Sequence, residues 1–152
     1  MGFSKLKLVK EEKLPTGFPV HTISYSDLKA ELHRRGIDWM CKPLYVPDYE
    51  VKYTNLESWK IIAPYLVSPA DKYIEDFCDC DDYAKMASAK SAFDFGLNGC
   101  LECFGSIPLG RHAFNLLVSL EDFFIMEPNA GFPIAGEVFP LHTNNYNAKS
   151  WK

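Results

Sequence analysis

Two thirds of the way along the chain, the apolar residues change their spacing. Up to Gly96 they recur at helical intervals, whereas from His112 onward they fall into short runs, "HAFNLLVS" and "DFFIMEP", separated by Leu120 and Glu121. Short apolar runs with so brief a break read as a β-hairpin. Helices first and an antiparallel sheet afterwards specify the α+β class. A length of 152 residues suits a single domain, 1–152, that buries a real core.

The helical part divides at its punctuation. "HTISYSDLKAELHRRGIDW" predicts a helix with Ser26 as N-cap, Leu28 and Leu32 as its apolar stripe and Gly36 as its stop. His33, in the last turn beside Arg34 and Arg35, reads as a solvated helix end. "CKPLYVPDYEVKYTN" is broken by Pro43 and Pro47 and reads as irregular extended chain with room for one short strand. A second helix is expected from Asn55 to Leu66, with Pro64 near its end. A third runs from Asp79 to about Phe93, where Asp94 and Gly96 let it stop. "FPIAGEVFPLHT" offers another strand, "NNYNAKSWK" reads as a polar tail, and residues 1–20 read as a charged arm or edge strand.

Charge and hydropathy exclude several classes of partner. The formal net charge is -4, and no stretch gathers Lys and Arg densely enough to follow a phosphate backbone, so nucleic acid is not expected. "MGFSKLKLVKEEKLPTGF" is too charged for a signal-peptide core, and no eighteen consecutive residues are apolar. The expectation is a soluble cytoplasmic protein with no membrane partner.

The chemistry lies among five cysteines, Cys41, Cys78, Cys80, Cys100 and Cys103. An odd number in a chain without a secretory signal argues for thiols, a metal site or a nucleophile. Cys78, Cys80, Cys100 and Cys103 form two pairs of the kind that hold zinc, which would make the chain a non-catalytic structural or interaction protein. The first pair has a spacing of one residue, where structural zinc usually takes two to four. The other reading makes Cys80 a nucleophile. If Asp79 caps the helix, Cys80 lies in its first turn, where unpaired backbone N–H groups and the helix dipole favour a thiolate and offer donors to an oxyanion. Above it stand Ala84, Ala87 and Ser88, small residues that let a sheet approach closely.

A base is available in the hairpin. A turn at Ser119–Leu120 sets His112 directly opposite Glu127, with Cβ atoms about 4.5–5.5 Å apart. Glu127 can then orient the imidazole and stabilise its charged form, with Asn129, on the same face, as the alternative orienting residue. A Cys–His–Glu set of this kind attacks amide carbonyls.

These residues also resemble a known group. Asp79-Cys80-Asp81-Asp82-Tyr83-Ala84 at a helix start, then Gly110-Arg111-His112-Ala113 and then Glu127-Pro128-Asn129, resemble the transglutaminase-like branch of the papain-like cysteine peptidases. Two members are most similar: the bacterial transglutaminase-like cysteine proteinases, with an Asp-Cys-Glu-Asp-Tyr-Ala motif, and the C-terminal protease domain of a fungal chimeric lectin with bacterial and phage relatives. The resemblance spans residues 79–129 and implies a papain-like fold with the nucleophile at a helix N-terminus packed on an antiparallel sheet. It implies a hydrolase acting on a protein or peptide amide, with Cys80, His112 and Glu127 as catalytic residues. Acyl transfer to an amine is the alternative outcome of the same triad. The resemblance also implies calcium, with Asp79 and Asp81 as candidate ligands. The hard oxygens suit that ion, although two carboxylates fill only part of its shell. Cys78 lies outside the motif.

Overall fold

The computed structural model describes residues 13–41 and 48–152. The expectations for residues 1–12, and for the stretch holding Pro43 and Pro47, lie outside the described residues.

Local signals place the helices well. Asn55 caps α2 (Leu56–Leu66) by accepting the Ser58 N–H at 2.9 Å, and Pro64 sits near its end as expected. Helix α3 (Cys80–Phe95) follows Asp79 as N-cap and ends on Gly96, whose φ of 68° is the left-handed value that glycine adopts without strain. The first helix, α1 (Tyr25–Arg34), buries Leu28 and Leu32, but its cap is Ser24 and not Ser26. The Ser24 hydroxyl accepts the Asp27 N–H at 3.1 Å and donates to the Asp27 carboxylate at 2.6 Å, which Ser26 cannot reproduce from inside the helix.

Strands interleave with these helices. β1 (His21–Ser24) pairs antiparallel with β3 (Glu50–Tyr53) in a small sheet. Residues 13–20, part of the expected arm or edge strand, are in no strand. The main sheet has β2 (Asp38–Trp39), β4 (Cys100–Ile107), β5 (Gly110–Val118), β6 (Phe123–Met126), β7 (Val138–Pro140) and β8 (Asn147–Trp151). Its order is β2-β8-β4-β5-β6-β7, antiparallel except for the parallel β2–β8 pair. The architecture is α+β.

Two expectations change here. The presumed polar tail is β8, which lies inside the sheet because Tyr146, Ala148 and Trp151 bury themselves against it. The hairpin turn spans residues 119–122, not Ser119–Leu120 alone, since Val118 pairs with Phe123 and Asn115 with Met126. The register therefore moves by two residues. A two-residue slip preserves the face on which each side chain stands, so His112 and Glu127 remain on one face as diagonal neighbours.

The sheet is buried on both sides. Leu28, Leu32, Phe114, Leu116, Ile125 and Trp151 fill one core; Trp59, Ile62, Leu66, Ala87, Leu117 and Met126 fill the other. Each large aliphatic or aromatic side chain among them contributes roughly 1.5–3 kcal/mol by leaving water. Ala84 and Ala87 are fully buried, and their small size lets α3 lie close enough for Asn115 Nδ2 to donate to the Ala84 carbonyl at 2.8 Å. That contact fixes the start of α3 over β5. Among the described residues no helix is long and apolar enough to cross a membrane.

Candidate active site

Cys80 is the first residue of α3, with Asp79 as the cap. The opening N–H groups of the helix have no carbonyl within it to bind, so they face outward beside the thiol. His112 comes from the start of β5 and is 8% exposed, while Glu127, just beyond β6, is fully buried.

The imidazole joins the two. His112 Nε2 lies 2.7 Å from Glu127 Oε2, and facing a carboxylate it carries the proton as donor. Nδ1 is left for Cys80, which lines both neighbouring cavities together with His112. Burial pulls the imidazolium down, but the neighbouring Cys80 thiol and Glu127 carboxylate outweigh it, pushing His112 from 6.5 up to about 9. Aromatic rings wall the imidazole in, the Phe132 centroid standing 5.0 Å away.

Glu127 is well supplied with donors. Its Oε2 also accepts the Tyr146 hydroxyl at 2.8 Å, and its Oε1 accepts the Asn129 N–H at 2.9 Å. With His112 these three donors offset the cost of burying the carboxylate. Burial, then the Glu127 charge, push the Tyr146 phenol upward, so it keeps its proton and serves as a donor. Tyr146 escapes the sequence reading because it lies in the presumed tail; the only signal is an aromatic residue in otherwise polar company. Asn129 reaches the site through its backbone, whereas its side-chain oxygen accepts the Gly131 N–H at 2.9 Å. Glu127, not Asn129, therefore orients His112.

The zinc arrangement does not assemble. Cys100 and Cys103 are fully buried in opposite cores, and burial pushes both thiols up, Cys103 to about 12. Cys78 lines a separate apolar cavity with Tyr83 and Met86. Tyr83, the tyrosine of the Asp-Asp-Tyr-Ala run, plays a structural part, since its hydroxyl donates to the Pro69 carbonyl at 2.6 Å and holds the loop before α3.

The acids behave differently. Asp79, Asp81 and Asp82 bring one oxygen each within 4.8 Å of one another, the only such cluster of potential ligands among the described residues. Asp79 Oδ1 is buried with no hydrogen-bond partner. Asp81 is pushed above the usual carboxyl range, first because a proton there is shared with Asp79, then by burial and the Asp79 charge. An orphaned buried oxygen among like charges fits a hard divalent cation.

Two cavities of about 460 Å³ each open on either side of the Cys80–His112 pair, and both are lined by Cys80, Arg111 and His112. Together they form a cleft with the thiol at its waist.

No family model matches the sequence, and no curated protein matches it. Among solved structures, one described as "PSL1a-E64 complex" matches with a TM-score of 0.54 and 22% identity, over 86% of this chain and 50% of that one. A Polyporus squamosus lectin, bound to a human-type influenza-binding epitope, matches at TM-score 0.47 and 21% identity, over 70% of this chain and 42% of that one. The chain thus spans about half the length of the structures it resembles.

Proposed function

We propose that the chain is a cysteine hydrolase of papain-like, transglutaminase-like type, acting on a protein or peptide amide. The observation that carries this reading is the convergence of Cys80 and His112, from a helix start and a strand start, on one cleft, with Glu127 buried behind the imidazole and bonded to it. With the Cys80 proton already held on His112 Nδ1, the Cys80 thiolate attacks the carbonyl carbon. The oxyanion is met by N–H groups at the start of α3. His112 then gives the proton to the departing amine, leaving a thioester on Cys80. Water, deprotonated by His112, cleaves the thioester and restores the thiol. Throughout, Glu127 holds Nε2–H and balances the imidazolium, while Tyr146 and Asn129 hold Glu127.

Asp79 and Asp81, with Asp82 beside them, are the residues that would hold calcium. The ion would neutralise the acids next to the thiolate. Five unpaired thiols suit a reducing cytoplasmic setting.

The test is turnover of an internally quenched peptide mixture, with and without calcium. Cleavage that disappears in both Cys80→Ala and His112→Ala, with their folds intact, supports the proposal; cleavage that persists in Cys80→Ala refutes it.

A further inference from the structure

The two halves of the cleft share Cys80, Arg111 and His112 and differ in the residues around them. On one side Arg111 and Lys149 reach the wall, joined by Ser106 and Ser150. Neither cation forms an ion pair with any described residue. The acid on that side, Asp81, stands in the cluster with Asp79 and Asp82 and pairs with neither cation.

Lys149 reaches that wall through a backbone irregularity. β4 pairs Gly105 with Ala148 and Phe104 with Ser150, so Lys149 is the extra residue of a β-bulge. A bulge re-aims the side chain it carries. Gly105 permits it, because a Cβ there would stand 2.0 Å from the Asn147 carbonyl oxygen. Across β4, Arg111 pairs with Ser106 and flanks His112. The bulge thus brings a cation from β8 to the same wall as one from β5.

The opposite half keeps Arg111 and adds Asn129, but brings no second cation. It is lined by Tyr73, Ile107, Leu109 and Phe132, with Ala70 and Gly131 leaving room between them. Leu109 is 87% exposed at the β4–β5 turn and adds nothing to either core.

We infer that the cleft, with Arg111 at its waist, selects peptides with a carboxylate side chain on the Lys149 side of the scissile bond and a bulky apolar side chain on the Leu109–Phe132 side. This rests on the proposed hydrolase reading and adds its substrate class. Two unpaired cations beside a nucleophile attract a carboxylate and repel a lysine, whereas the opposite half gains by covering Leu109 and Phe132.

The probes are four peptides with Leu on one side of the cleaved bond and Glu or Lys on the other, in both chain orders. Turnover is read as kcat/KM on the wild-type protein, and binding as fluorescence anisotropy on Cys80→Ala. In one chain order, the Glu peptide should exceed its Lys counterpart about tenfold, and Lys149→Glu should erase or invert that ratio, as expected for exchanging one attraction for one repulsion. Leu109→Ser should weaken all four Leu peptides severalfold while leaving the Glu-to-Lys ratio unchanged. Equal kcat/KM for Glu and Lys peptides, or a ratio unmoved by Lys149→Glu, overturns the inference. Glu-selective binding to Cys80→Ala without wild-type turnover would support the selectivity and sink the hydrolase reading; turnover without discrimination would do the reverse.

Discussion

Replacing Glu127 by glutamine removes one buried negative charge and leaves the shape of the side chain almost unchanged. In the native protein His112 is raised from 6.5 to about 9 against the cost of its burial, by Cys80 and Glu127 together. That interval corresponds to roughly 3 kcal/mol of preference for the imidazolium in the folded state. The group is raised above its unfolded value, so its stabilisation is fully present below pH 6.5 and is lost as pH climbs through about 9. In Glu127→Gln the new amide can still accept from Nε2–H and from Tyr146, but it no longer balances the charge. It also turns an N–H donor or a weaker acceptor toward the Asn129 N–H. Denaturant melts of both proteins in small pH steps, from below the ordinary histidine value to above the raised one, measure the effect. The wild-type protein should lose a substantial part of that roughly 3 kcal/mol across the window, and Glu127→Gln should show a much flatter dependence. Parallel curves for the two would refute the claim that Glu127 stabilises the imidazolium.

Tyr146→Phe deletes a buried hydrogen bond to Glu127 and should cost roughly 1–3 kcal/mol in thermal or denaturant unfolding. Cys80 alkylation should stay within a few-fold, because His112 and Glu127 still meet. Gly105→Ala drives a Cβ into the Asn147 carbonyl and should destabilise by roughly 1–3 kcal/mol or more, measured as a lowered Tm. Asp81→Asn relieves the repulsion with Asp79, so in EDTA it should raise Tm. The same change should abolish the Tm gain that calcium gives the wild-type protein, and an equal calcium response in both would remove Asp81 from the ligand set.

Much of this site is legible in the sequence because its parts lie at element boundaries, where residue type carries geometric meaning. Asn55 and Gly96 mark helix ends by their capping chemistry, and Asp79, which stands at the N-cap position without a side-chain cap bond, places Cys80 in a first turn. His112 and Glu127 meet although the register inferred from the turn is two residues off, because face parity survives an even slip and both side chains span a diagonal. An odd slip would part them.

What stays hidden depends on tertiary burial. "NAKSW" lacks a run of apolar residues, so nothing local reveals that Ala148 and Trp151 pack into the sheet. β4 is obscured because Cys100 and Cys103 have the spacing of metal ligands, whereas three residues apart on a strand they point to opposite faces. Tyr146 follows from the same omission, since its role requires β8 to lie beside β4. Ser24 outcompetes Ser26 because the chain enters the helix from a strand that no apolar alternation announces.

The central claim is that Cys80 alone among the thiols is activated. Its most direct test is intact-mass analysis with peptide mapping after exposure to an epoxide electrophile such as E64 at neutral pH. A single adduct on Cys80, lost in His112→Ala and retained in Cys41→Ala, is the predicted result. Comparable modification of Cys41 or Cys78, or an adduct on Cys80 that persists undiminished in His112→Ala, would contradict it.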